Sequence, residues 1–132
     1  METVPANKIS WRPHKHLGTF GMQIRHIGVS ERAYIKGIKS GKISFSNKTY
    51  DKRIEKDKAS AINFLKEQDK DLIQLLKSVN FNKEIEFHDG VYGISKVNVE
   101  TVLYWLIEHE TYHQGIFTCY GRLAGLGKFR LM

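Results

Sequence analysis

The run from Val99 to Ala124 constrains this chain most: it contains no proline and places apolar residues at Val102, Leu106, Ile116, Tyr120 and Leu123, spacings that keep to one face of an α-helix. Two histidines, His109 and His113, fall on the same stripe, so a helix here directs both imidazoles toward the core. Four residues apart, they stand about 6 Å from each other along the axis, within reach of one ion. The alternative for such a pair is two core histidines hydrogen-bonded to backbone or to each other. Burying two basic rings in an apolar stripe costs free energy unless something satisfies them, and a divalent ion satisfies both together. The spacing and the position together point to metal.

The chain is 132 residues long and 41% hydrophobic, enough for one core, so a single domain spanning 1–132 is expected. No stretch approaches the roughly 20 apolar residues that cross a bilayer, and the N-terminal sequence lacks the apolar segment of a signal peptide. A cytoplasmic protein without membrane contact follows. Cys119 is the only cysteine, so neither an internal disulfide nor a Cys/His zinc finger is available, and any metal rests on histidine. The net charge of +7 raises the question of nucleic acid. Between Lys36 and Lys58, eight basic residues face three acidic ones, a local excess of 8 − 3 = +5, so most of the charge sits in one connector. No helix carries a basic face interleaved with base-stacking aromatics, and nucleic acid is not an expected partner.

Residues 1–18 read as an irregular arm with breaks at Pro5 and Pro13. Thr19 is an N-cap for a first helix over 19–40, whose apolar face holds Phe20, Ile24, Ile27, Tyr34, Ile35 and Ile38 and which stops at Gly41. His26 lies toward the core side of that helix near Gln23, where a lone histidine is ordinarily a satisfied structural residue. A polar connector follows, with a short extended piece at Ile43 to Phe45. The second helix, 57–79, reads as scaffold, with Ala61, Leu65, Leu72, Leu75, Leu76 and Val79 on its apolar face. Residues 81–96 alternate as a short hairpin turning at Asp89-Gly90. His88, beside that turn, is expected to be exposed, and His14 and His16 lie on the arm; none of the three is expected to be a ligand. Asn98 caps the last helix, 98–125.

His109-Glu110-x-x-His113 has the form of a metalloprotease motif, with the glutamate as general base. The context rejects it: Gln114 to Met132 contain no histidine, aspartate or glutamate to serve as a downstream third ligand. Glu110 lies to the side of the stripe and is expected at the rim of the site, hydrogen-bonded to a ligand or to neighbouring backbone.

A different match spans roughly residues 8 to 125. Trp11-Arg12-Pro13, then Gly18-Thr19-Phe20-Gly21-Met22-Gln23-Ile24-Arg25-His26-Ile27, then His109-Glu110-x-x-His113-Gln114-Gly115, in that order, resembles the DinB-like superfamily. Its members are helical-bundle metalloproteins related to YfiT-type hydrolase-like proteins and to bacillithiol and mycothiol S-transferases. The resemblance implies an all-α, up-down bundle and makes His26 the third metal ligand beside His109 and His113, with Gln23 and Glu110 as polar neighbours of the ligands. Three neutral nitrogen donors and an open position form a catalytic type of site, and three histidines accept nickel, zinc, iron or manganese. Family members commonly have Gln where this chain has Ile116, and a further His or Arg near Tyr112 and Gln114, so the rim of the site differs.

In the family, a first helix precedes the Trp-Arg-Pro segment, whereas ten residues precede Trp11 here. Three long helices plus a short extended segment or hairpin are therefore expected. Leu103, Ile107 and Phe117 widen the apolar arc of the last helix, which together with the resemblance leads to a homodimer as the expected assembly. The family implies a metal-dependent enzyme of the thiol S-transferase or hydrolase-like type, with a low-molecular-weight thiol as partner. The alternative is a catalytically silent metal-binding stress protein with a structural ion.

Overall fold

The computed structural model describes residues 3–45, 49–89 and 93–127. Three long helices, α1 (Phe20–Ser40), α2 (Lys58–Leu76) and α3 (Val99–Leu123), carry the fold, with strands β1 (Lys42–Ser44), β2 (Glu84–Asp89) and β3 (Gly93–Asn98). Short 3-10 turns occupy Ala6–Lys8 and Lys52–Glu55. The expected helical architecture holds for the three helices, but the short extended pieces are more organised than the all-α reading allowed. β1 pairs parallel with β2 and β2 antiparallel with β3, giving one three-stranded sheet in the order β1-β2-β3. Buried Ile43 and Ile85 supply its inward face. The Asp89-Gly90 turn falls partly outside the described residues.

Helix α1 is the centre of the molecule. Its first amides, which have no partner inside the helix, are all taken up. Thr19 Oγ1 accepts from the Met22 amide at 3.1 Å. The amides of Phe20 and Gly21 donate to the carbonyls of Trp11 (3.1 Å) and Ile9 (2.8 Å). The N-terminal arm is therefore part of the fold, not a loose leader. Val4 and Ile9 are buried in the core, and the Trp11 ring lies 5.7 Å from Phe20 and 6.2 Å from Tyr120. At the other end of α1, Gly41 adopts φ 86°, the left-handed conformation that ends helices without strain.

Helix α3 runs back along α1, with Tyr120 beside Phe20 at 5.5 Å between ring centres. Beyond Tyr120 there is no more of α1 to cover it, which is why Leu123, on the apolar stripe by spacing, is exposed. Helix α2 runs in the same direction as α1, because the connector through β1 carries the chain back before α2 begins. Strict up-down alternation is thus broken at this crossover. Parallel packing is close: a Cβ on Gly28 would lie 2.3 Å from Cε1 of Phe64, and one on Gly21 would lie 2.0 Å from the carbonyl oxygen of Glu55. Backbone cannot swing aside as a ring can. Gly21→Ala should therefore lower stability by about 2 kcal/mol or more, read from the denaturant midpoint, through forced separation of α1 from the Lys52–Glu55 turn.

Two buried clusters result. One, at the start of α1, joins the arm to Ile24, Ala61, Phe64 and Tyr120; the other, at its end, joins Ile35, Ile38, Leu75, Val102 and Leu106 to the sheet. On the far face of α3, Tyr104 and Ile107 are exposed, whereas Leu103 and Phe117 are partly buried against the core. Among the described residues, no helix is long and apolar enough to cross a membrane.

Candidate metal centre

Between the two clusters, where α3 passes over α1, the apolar packing is interrupted by imidazoles. His26 projects from α1, and His109 and His113 from successive turns of α3. Their ligand atoms lie within 4.8 Å of one another. Nε2 of His109 is 3.1 Å from Nε2 of His26, and the His113 ring centre is 4.5 Å from that of His109 and 4.7 Å from that of His26. Two nitrogens 3.1 Å apart also have the spacing of neighbouring ligands on one ion at bond lengths of about 2.0–2.2 Å.

The electrostatics suit a ligand set. Burial, then the neighbouring His113 and His26, pushes His109 down to about 4. Burial, then His26, lowers His113 as well. These two rings are therefore neutral near pH 7, the form that donates a lone pair to a metal. His113 is buried, and Nδ1 of both His109 and His113 is shut away from solvent without a hydrogen-bond partner. On His109 it is Nε2, not this Nδ1, that faces His26, so an ion at the triad would be held by His109 through Nε2. The residues fit a divalent metal.

Two of the three imidazoles, His26 and His113, line a cleft of about 610 Å³. Leu17, Met22, Tyr112, Ile116 and Tyr120 make it mainly apolar, while Gln23 and Arg25 supply its polar edge. Tyr120 is fixed by donating its hydroxyl to the Gly18 carbonyl at 3.0 Å. Arg25 is held by Glu55 at 2.9 Å and lies 4.6 Å from the Tyr50 ring centre, so its charge is already matched.

The remaining histidines lie elsewhere. His14 and His16 pair with each other on the exposed arm, with ring centres 5.2 Å apart. His88, expected to be exposed, is partly buried in the sheet and paired with Glu86 at 3.2 Å. Of the two polar neighbours, Gln23 lines the cleft. Glu110 is half-buried, and its carboxyl is raised by burial and by the charge of Asp69. It does not bond Nδ1 of either His109 or His113.

Two further polar residues on the helices are deeply buried. Glu31 on α1 is only 2% exposed and Gln68 on α2 only 4%. Burial, then Glu110 and Asp69, raises the Glu31 carboxyl to about 8. Both had a visible signal: Glu31 lies between Ile24 and Ile35 on the buried stripe of α1, and Gln68 between Phe64 and Leu75 on that of α2.

A family model described as DinB superfamily matches residues 1–117 of the chain. No curated protein matches it.

Proposed function

The chain belongs to the DinB superfamily, and from that premise we propose that it is a divalent-metal protein acting as an enzyme of the thiol S-transferase or hydrolase-like type. The observation that carries the proposal is the convergence of His26, His109 and His113, two of which, His26 and His113, line an accessible cleft. When bound, a divalent ion supplies Lewis acidity that favours the deprotonated form of a thiol or water presented to it.

The chain's own residues do the rest. His109 and His113, neutral near pH 7, keep their lone pairs available. Met22, Ile116 and Tyr112 exclude water from one side of a bound molecule and favour an apolar body, while Gln23 offers the cleft an amide donor and acceptor. Glu110 faces Glu31 and Asp69, and nothing in this arrangement assigns it the general-base role of a metalloprotease.

The test is transfer of a low-molecular-weight thiol to an electrophile by purified protein, with and without a chelator. Activity that is lost on chelation and restored by metal supports the reading. Glu110→Gln should keep its metal and most of that activity, within about tenfold, because it alters neither the ligands nor the cleft. Metal removal that melts the protein, with no turnover at any loading, would instead identify the ion as structural. Peptidase activity abolished by Glu110→Gln would overturn the assignment of Glu110.

A further inference from the structure

The charge excess of the stretch 36–58 plays no part in the histidine cleft, and the fold gathers some of it at one place. Along α1, Ala33 and Gly37 lie one turn apart on the side that meets β1. Gly37 lets the strand sit directly on the helix: a Cβ there would lie 2.1 Å from Cγ1 of Ile43. Beside this contact the two elements bound a pocket of about 210 Å³, with Arg32 and Lys36 on the helical wall and Lys42, Ser44 and Thr49 opposite. It shares no lining residue with the cleft beside His26 and His113.

The charge of this pocket is of one sign. No aspartate or glutamate lines it, and among the described residues no carboxylate pairs with Arg32, Lys36 or Lys42. Glu86, which stands beside Lys42 in the register of β1 and β2, is paired with His88 instead. Arg32 is held from two sides: it donates Nη2 to the Thr49 carbonyl, and its guanidinium carbon lies 5.5 Å from the Phe64 ring centre. The other N–H groups of its planar fork keep their capacity to donate.

Cationic and hydroxyl donors around a small space call for an anion, and the number of cations says which. A carboxylate carries one charge, which a single guanidinium matches; three cations match a group with two negative charges and several acceptor oxygens. A phosphate group has both at neutral pH, its second proton leaving near about 6. The volume lies below the roughly 300–1,000 Å³ of pockets that take up whole small molecules, so the pocket holds a head group while the rest of a ligand stays outside. We propose that Arg32, Lys36 and Lys42 form a binding site for a dianionic phosphate group, free or as a monoester, between α1 and β1. The site needs no metal and is independent of the histidine triad.

The probes are inorganic phosphate and methyl phosphate, titrated at about pH 7.5, where both are largely dianionic, into the full-length protein at constant ionic strength and followed by amide NMR shifts. Acetate is the singly charged control. Both phosphates should give saturable shifts at Ala33, Gly37 and Ser44, with or without chelator, and acetate should bind at least roughly tenfold more weakly. The tighter of the two phosphates identifies a free or an esterified group as the ligand. Lys36 and Lys42 are exposed, so their replacement leaves the core alone. Lys36→Gln and Lys42→Gln should each weaken binding by roughly two- to fivefold, and together by roughly tenfold. Both variants should keep the metal content of the wild type, so loss of phosphate binding is distinct from failure of the metal assignment. An unchanged affinity in the double variant, acetate binding as tightly as phosphate, or shifts that chelation abolishes would overturn the site.

Discussion

Between pH 5 and pH 9, the wild-type protein should lose about 3–5 kcal/mol of stability relative to Glu31→Gln. The carboxyl of Glu31 is raised from its ordinary 4.5 to about 8 in the folded protein, with burial as the main cause and Glu110 and Asp69 adding repulsion. A folded-state value above the unfolded one means that the native protein holds a proton that the unfolded chain has already released. Stability from this group is therefore complete below pH 4.5 and falls steadily as pH rises through about 8, beyond which it levels off. The groups facing Glu31 from the other helices, Asp69 and Glu110, are present in both proteins, as are the histidines, so the difference isolates one side chain. Glutamine keeps the shape and remains neutral. Urea titrations of both proteins across this range give the comparison. Parallel stability curves would show that Glu31 ionises freely, contrary to its burial.

Stripping metal from the wild-type protein should lower its melting temperature by about ten degrees or more, and the same treatment should leave His109→Ala unmoved. An ion present at a thousand times its dissociation constant stabilises the native state by about 4 kcal/mol, which for a domain of this size corresponds to a shift of that order. The acid side adds a check. His109 is held at about 4 in the metal-free protein, below the ordinary histidine value. It contributes stability that is present above that ordinary value and lost as pH falls through about 4, since the unfolded chain takes the proton first. Protons compete with metal for the same nitrogens, so the chelator-sensitive part of the melting temperature should shrink over that interval. A chelator that leaves the wild-type melting temperature unchanged at pH 7 would show that no ion stabilises the fold.

Helices were legible because their signals are local. Thr19 and Asn98 cap helices as expected, and Gly41 ends α1. His109 and His113 were legible as a pair because four residues make one turn. His26 was not, since its partners are more than eighty residues away and the helical wheel alone placed it among ordinary core residues; the order of segments shared with the family singled it out. The sheet was harder still. Three residues of β1 carry no periodic signal, and their partner strand lies some forty residues later, so pairing depends on contacts that spacing cannot express. The parallel course of α1 and α2 is hidden for the same reason. The burial of Glu31 and Gln68 is not evident from residue type, because charged and amide residues are ordinarily assigned to solvent, although both occupy stripe positions.

The central claim is that His26, His109 and His113 hold one divalent ion. It is tested most directly by elemental analysis of protein purified without chelator, as the wild type and as single His26→Ala, His109→Ala and His113→Ala variants, with His88→Ala as a control. The account predicts about one first-row divalent metal per chain in the wild type and in His88→Ala, and a fall of at least roughly tenfold in each of the other three. Metal absent from a wild-type protein that also fails to take up zinc or nickel, or metal retained undiminished when His26 is replaced, would contradict it.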